Sequence, residues 1–129
     1  PEDTAIGLAT RRALAAARAA GDPFAAVPAL DAALFDHVYS YGVAAAETVP
    51  VALALTAVSD GPPGAAISAA ACLANVADSA PALTGALTGA RAGYEALPGG
   101  WRDAVGTLTG CCLPELAGTD LLEIAGALT

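Results

Sequence analysis

The chain has 129 residues, enough for one domain with a real core, because chains of roughly 100–150 residues bury about two-thirds of their surface on folding. Hydrophobic residues make up 56% and aromatics only 5%, so the interior must be built from small side chains, alanine above all, a composition that suits helices and not sheets. Five arginines stand against thirteen carboxylates, a formal charge of −8, which excludes the clustered basic surface a nucleic-acid partner requires.

Asp3 to Ala20 carries Ile6, Leu14 and many alanines with Arg11, Arg12 and Arg18 between them. It reads as an amphipathic helix with a solvated arginine face, closed by Gly21-Asp22-Pro23. Leu30, Leu34, Val38 and Tyr41 then recur at helical spacing, with Asp31 and Asp36 on other faces and Gly42 as the stop. In Glu47-Thr48-Val49-Pro50, Thr48 is expected to cap a third helix and Pro50 to sit in its first turn, where a missing N–H costs nothing. The run Val51 to Val58 is apolar almost all round, so that helix should be central.

Ser59-Asp60-Gly61-Pro62-Pro63 breaks the chain before a fourth, uncharged helix from Gly64 to about Ala74, expected to be buried. Asp78-Ser79-Ala80-Pro81 opens a fifth helix running to Leu97, ended by Pro98-Gly99-Gly100. Gly85, Gly89 and Gly93 fall four residues apart, so one face of bare backbone should admit a close neighbour and offset the roughly 1 kcal/mol each glycine costs a helix. A short helix from Trp101 to about Leu108, an irregular Gly110 to Gly118 stretch, and a last helix opened by Asp120 and Glu123 in capping-box spacing complete the chain. The whole reads as one compact all-α multi-helix unit over residues 1–129.

The longest charge-free run, Gly61 to Ala77, is too broken and too rich in alanine for a membrane span, and no membrane partner is expected. Cys72 lies in an apolar run and reads as a small buried hydrophobe; Cys111 and Cys112 are adjacent, which rarely gives a structural staple. Three cysteines fit a reducing, cytoplasmic setting. The chain contains no methionine and opens at Pro1 in sequence that already reads as structured, so an upstream portion is expected.

Chemistry-bearing residues are few. His37 is the only histidine, which excludes a histidine-rich metal cage, and it reads as a residue at a helix surface. The cysteines have no evident base beside them. Asp78 and Ser79 stand out because a charge and a hydroxyl sit between two apolar helices. They are either an N-cap pair or oxygen ligands for a hard divalent cation such as Mg²⁺ or Mn²⁺.

The stretch from Ala77 to Pro98, ADSAPALTGALTGARAGYEALP, followed by Trp101, resembles the C-terminal signature of the ADP-ribosylglycohydrolase family. That signature is D-T-D-T/S, a small apolar spacer, G-A-L-A-G-A-x-x-G, then I/L-P and a tryptophan. Glu47 to Leu53 is similar to a weaker feature of the same family. The resemblance implies an all-α fold of which this chain is the C-terminal part, and a pair of divalent cations, usually Mg²⁺, held by an early T/S-D-D run and the late D-x-D-T/S.

On this likeness the second aspartate falls on Asp78 and the hydroxyl on Ser79, both expected metal ligands, whereas Val76 stands where the first aspartate would be, and no T/S-D-D occurs. The implied function is metal-dependent cleavage of an ADP-ribosyl N- or O-glycosidic bond. The metal pair would hold the ribose hydroxyls, once the chain is completed by an N-terminal part of the same protein or a second subunit. The alternative implied by Val76 is a catalytically degenerate relative serving as a binding or structural module.

Overall fold

The computed structural model describes residues 3–36 and 45–128. Among these residues there are seven α-helices and no β-strand beyond an isolated bridge between Thr107 and Asp120, an all-α architecture. Contacts within the chain group into two units, residues 1–96 and 97–129.

In the first unit, α1 (Ala5–Ala20) begins where Thr4 accepts a hydrogen bond from the Gly7 amide and ends at Gly21, whose left-handed φ of 75° lets its N–H reach the Ala17 carbonyl. One residue later Asp22 Oδ1 accepts from the amides of Phe24 and Ala25, at 2.9 and 3.0 Å, and Pro23 fills the first position of α2 (Pro23–Leu34). The turn expected from Gly21-Asp22-Pro23 thus ends one helix and starts the next. Arg11, Arg12 and Arg18 are exposed along α1, as a solvated face should be. α2 stops at Leu34, and the portion of the second-helix reading that falls on Val38, Tyr41 and Gly42, together with His37, lies outside the described residues.

Two expectations about the next helices need correcting. α3 (Ala45–Ala57) already contains Thr48 and Pro50 inside its run, so Thr48 does not cap it. Pro50 removes the amide that would bond the Ala46 carbonyl, a defect tolerated where the residue is fully buried among neighbours. α4 (Pro63–Ala71) ends before Cys72, which sits at its C-terminal cap with an exposed side chain, while Leu73, the next residue, is buried.

A 3-10 turn, Ala74–Val76, leads to α5 (Ala80–Ala92), which Gly93 terminates with φ 85°, immediately before a second 3-10 turn at Tyr94–Ala96. The helix therefore stops short of Leu97, because the extended left-handed backbone at Gly93 cannot propagate it.

The core of this unit is largely alanine: Ala13, Ala17, Ala26, Ala54, Ala66, Ala69, Ala70 and Ala80 are buried with Leu30, Leu55, Leu73, Val51 and Val76. Small side chains let α1 lie against both α2 and α3, and α5 against both α3 and α4. The glycine ridge plays a smaller part than its spacing predicts. A Cβ on Gly85 would meet Ile67 at an ordinary 3.5 Å, and one on Gly89 would meet nothing within 4 Å.

The buried face of α5 is instead Ala80, Thr84 and Thr88, again at intervals of four. Each threonine hydroxyl donates to a carbonyl one turn earlier, Thr84 to Ala80 at 2.8 Å and Thr88 to Thr84 at 2.7 Å. This satisfies the polar atom within the helix and leaves the methyl for packing.

The second unit holds α6 (Gly99–Val105), a 3-10 turn at Pro114–Leu116, and α7 (Leu121–Ala127), which Asp120 caps by accepting from the Leu122 amide at 2.7 Å. Bonds from Leu108 N–H to Thr119 O and from Gly118 N–H to Leu108 O close the loop between the two helices.

If small side chains set the helix spacing, enlarging one is costly. Ala17→Leu, at a position with no exposure, should lose about 1–3 kcal/mol, whereas Ala15→Leu on the exposed face of α1 should be near neutral; urea denaturation midpoints check both.

Candidate functional site

The candidate site is built where α3 and α5 begin. Thr48, one turn into α3, is buried, and its Oγ1 lies 3.5 Å from Ser79 Oγ at the start of α5. At the other end Arg91 of α5 donates to the carbonyls of Thr56 and Ser59, the first at 3.1 Å, closing the C-terminal end of α3 with a cation. With contacts at both ends in matching order, the two helices run in the same direction and present their N-terminal, electropositive ends together. Two carboxylates stand there, Glu47 in the first turn of α3 and Asp78 just ahead of α5.

Ser79 occupies the N-cap position of α5, yet its side chain makes no capping hydrogen bond. A cap accepts from the second or third amide of the helix, and Pro81, at the second position, withdraws one of the two. The hydroxyl turns away and donates to Asp78 Oδ1 at 3.1 Å. Asp78 itself is exposed and Ser79 is half-buried. The structure thus brings together Asp78, Ser79 and Thr48, in a chain of oxygen atoms reaching from the surface to the buried side of α3. Thr48 was missed as a member of this group because its neighbour Pro50 made it look like a cap. Glu47, next to it, is half-buried with Oε2 shielded from solvent.

Val76 is fully buried and belongs to the apolar core. An aspartate at that position would carry its charge into a hydrocarbon environment at a cost of several kcal/mol (roughly, for an unpaired buried group), so the valine here is a packing residue. Asn75 is half-buried on the same turn.

A Mg²⁺ or Mn²⁺ ion asks for about six oxygen ligands, carboxylates prominent among them. Asp78 and Ser79 match that requirement in kind and fall short in number, and among the described residues no group of three or more His, Cys, Asp or Glu side chains could hold a metal. Beside the pair, Val49, Ala52 and Leu53 of α3 and Leu83, Ala86 and Leu87 of α5 line an apolar cavity of about 270 Å³, in which all three leucines are exposed. No described helix is long and apolar enough to cross a membrane.

The family model for ADP-ribosylglycohydrolase matches residues 3–128, nearly the whole chain. No curated protein and no solved structure matches it. The chain belongs to the ADP-ribosylglycohydrolase family.

The geometry separates two kinds of helix start. Asp22→Ala, which removes a working cap, should lower stability by about 1 kcal/mol, while Ser79→Ala, which removes none, should change it by no more than a few tenths (roughly the scale of a surface substitution). Chemical denaturation of the two variants checks this, and equal losses would mean that Ser79 caps after all.

Proposed function

We propose, taking membership of the ADP-ribosylglycohydrolase family as premise, that this chain is part of a hydrolase that cleaves an ADP-ribosyl N- or O-glycosidic bond, with Asp78 and Ser79 as oxygen ligands to Mg²⁺ or Mn²⁺. The observation that carries this reading is the direction of the Ser79 hydroxyl. It sits at a helix start without capping it and is paired instead with an exposed carboxylate, so two hard oxygen donors stand side by side. A divalent ion bound there supplies charge neutralisation and polarisation of a sugar oxygen. Thr48 acts as a positioning residue, its hydroxyl close enough to Ser79 Oγ to hold that oxygen in place.

One carboxylate and one hydroxyl do not make a complete site, so the remaining ligands come from an N-terminal part of the same protein or from a second subunit. The exposed leucines Leu53, Leu83 and Leu87 support the same reading, because a cavity walled by apolar side chains gains about 25 cal/mol for each Å² covered. Three cysteines with no disulfide between them accord with a cytoplasmic setting.

A second reading is favoured by Val76: a relative that has traded a ligand for core packing and persists as a binding or structural module.

Isothermal titration of the full-length protein with Mg²⁺ and with ADP-ribose tests the first reading. Both should bind, and Asp78→Asn should weaken Mg²⁺ binding by more than the roughly 10–100-fold that losing an outer-shell partner costs. Failure to bind either ligand contradicts it. Metal-dependent release of ADP-ribose from modified arginine or serine peptides would eliminate the second reading.

A further inference from the structure

Cys111 and Cys112 are both exposed, and their sulfurs lie 3.7 Å apart on the loop between α6 and α7. The loop is sharply constrained. Gly110 has φ 74°, and a Cβ there would fall 2.7 Å from Ala117 Cβ, so the backbone that presents the two thiols is locked against the Pro114–Leu116 turn. Both cysteines line an apolar cavity of about 220 Å³ together with Leu108, Leu113 and Leu116.

We infer that Cys111 and Cys112 form a reversible oxidation site, in which Cys111 is the thiol attacked by peroxide-class oxidants and Cys112 the thiol that resolves it. The Cys111 thiol is pushed below its ordinary pKa, chiefly by the hydrogen bond from the Cys112 side chain and then by that from Thr109, both of which favour the thiolate. Exposure, a lowered pKa and an adjacent second thiol are the features that make a cysteine a site of selective oxidation.

In the first step the Cys111 thiolate attacks one oxygen of hydrogen peroxide. A sulfur–oxygen bond forms and the O–O bond breaks. The departing hydroxide takes the Cys112 proton and leaves as water, and Cys111 becomes a sulfenic acid. In the second step the Cys112 thiolate attacks that sulfur, the S–O bond breaks, and the second hydroxide takes a proton from solvent. In sum, two thiols and one peroxide give one disulfide and two waters.

Adjacent Cα atoms across a trans peptide are about 3.8 Å apart, closer than the usual ~4.4–6.8 Å for a disulfide. The bond is therefore strained and readily reopened by a cellular thiol, which takes up the oxidation.

The test exposes the full chain to hydrogen peroxide, alkylates the remaining thiols and locates the products by peptide mass spectrometry. The expected result is a Cys111–Cys112 disulfide within one chain, two hydrogens lighter and reversed by dithiothreitol, formed equally in Cys72→Ser. In Cys112→Ser the sulfenic acid should accumulate on Cys111 and be trapped by dimedone, and in Cys111→Ser oxidation of Cys112 should be roughly tenfold slower. Oxidation of Cys72 as fast as Cys111, a disulfide between two chains as the main product, or no dimedone adduct on Cys111 in Cys112→Ser would each overturn the inference. Matching circular dichroism of the serine variants and the parent shows that a changed rate is not a loss of fold.

Discussion

The parallel packing of α3 against α5 sets where Thr48, Ser79 and Asp78 come together. It depends on the face Ala80, Thr84, Thr88 being no bulkier than threonine, and on the threonine hydroxyls being spent inside their own helix. With those atoms satisfied, this buried face presents only methyl groups to the interior where α5 packs against α3 and α4. Arg91 fastens one end by taking up carbonyls of α3. At the other end the same alignment brings Ser79 within reach of Thr48. The candidate site is thus a consequence of packing: without the small-residue face, the hydroxyls would not share one end of the helix pair.

Local chemistry explains why that end is available for function. A serine ahead of a helix ordinarily spends its oxygen on an amide. Pro81 withdraws one of the two amides it could serve, and the oxygen turns to Asp78 instead. The proline at that position therefore leaves the Ser79 hydroxyl paired with Asp78 and outside the hydrogen bonds of the helix. Val76 works in the opposite sense, because its place on the 3-10 turn points it into the core, where an ionised side chain would not be tolerated.

Much of the fold was legible because its signals are short-range. Gly21-Asp22-Pro23 combines residue types with fixed offsets that the structure uses as implied, and Asp120 caps its helix, though through the Leu122 amide and not that of Glu123. The alanine-rich composition likewise anticipated a core of small side chains. Errors arose where burial overrode a local signal. Thr48 and Pro50 look like a helix start, yet the helix begins three residues earlier, at Ala45, and both side chains are buried inside its run. Glycines and threonines share the same spacing in α5, and periodicity alone could not say which set faces the neighbour.

Within the site, the position of Asp78 and Ser79 was evident from their isolation between apolar runs, and the resemblance to the glycohydrolase signature rested on the same stretch. The direction of the hydroxyl and the exposure of the carboxylate were not evident, since both follow from how α5 lies against α3. The thiols carry the same lesson. The sequence suggested a buried Cys72 and an adjacent pair with no evident base beside it, whereas the exposure of all three and the hydrogen bonds to Cys111 are visible only in the folded chain.

Paramagnetic broadening by Mn²⁺ tests the central claim most directly. In the full-length protein, with ADP-ribose present, amide signals of Thr48, Ser79, Ala80 and Ala82 to Thr84 should broaden first at substoichiometric Mn²⁺. Broadening confined to other carboxylates, such as Asp120 and Glu123, with the start of α5 unchanged, would contradict it.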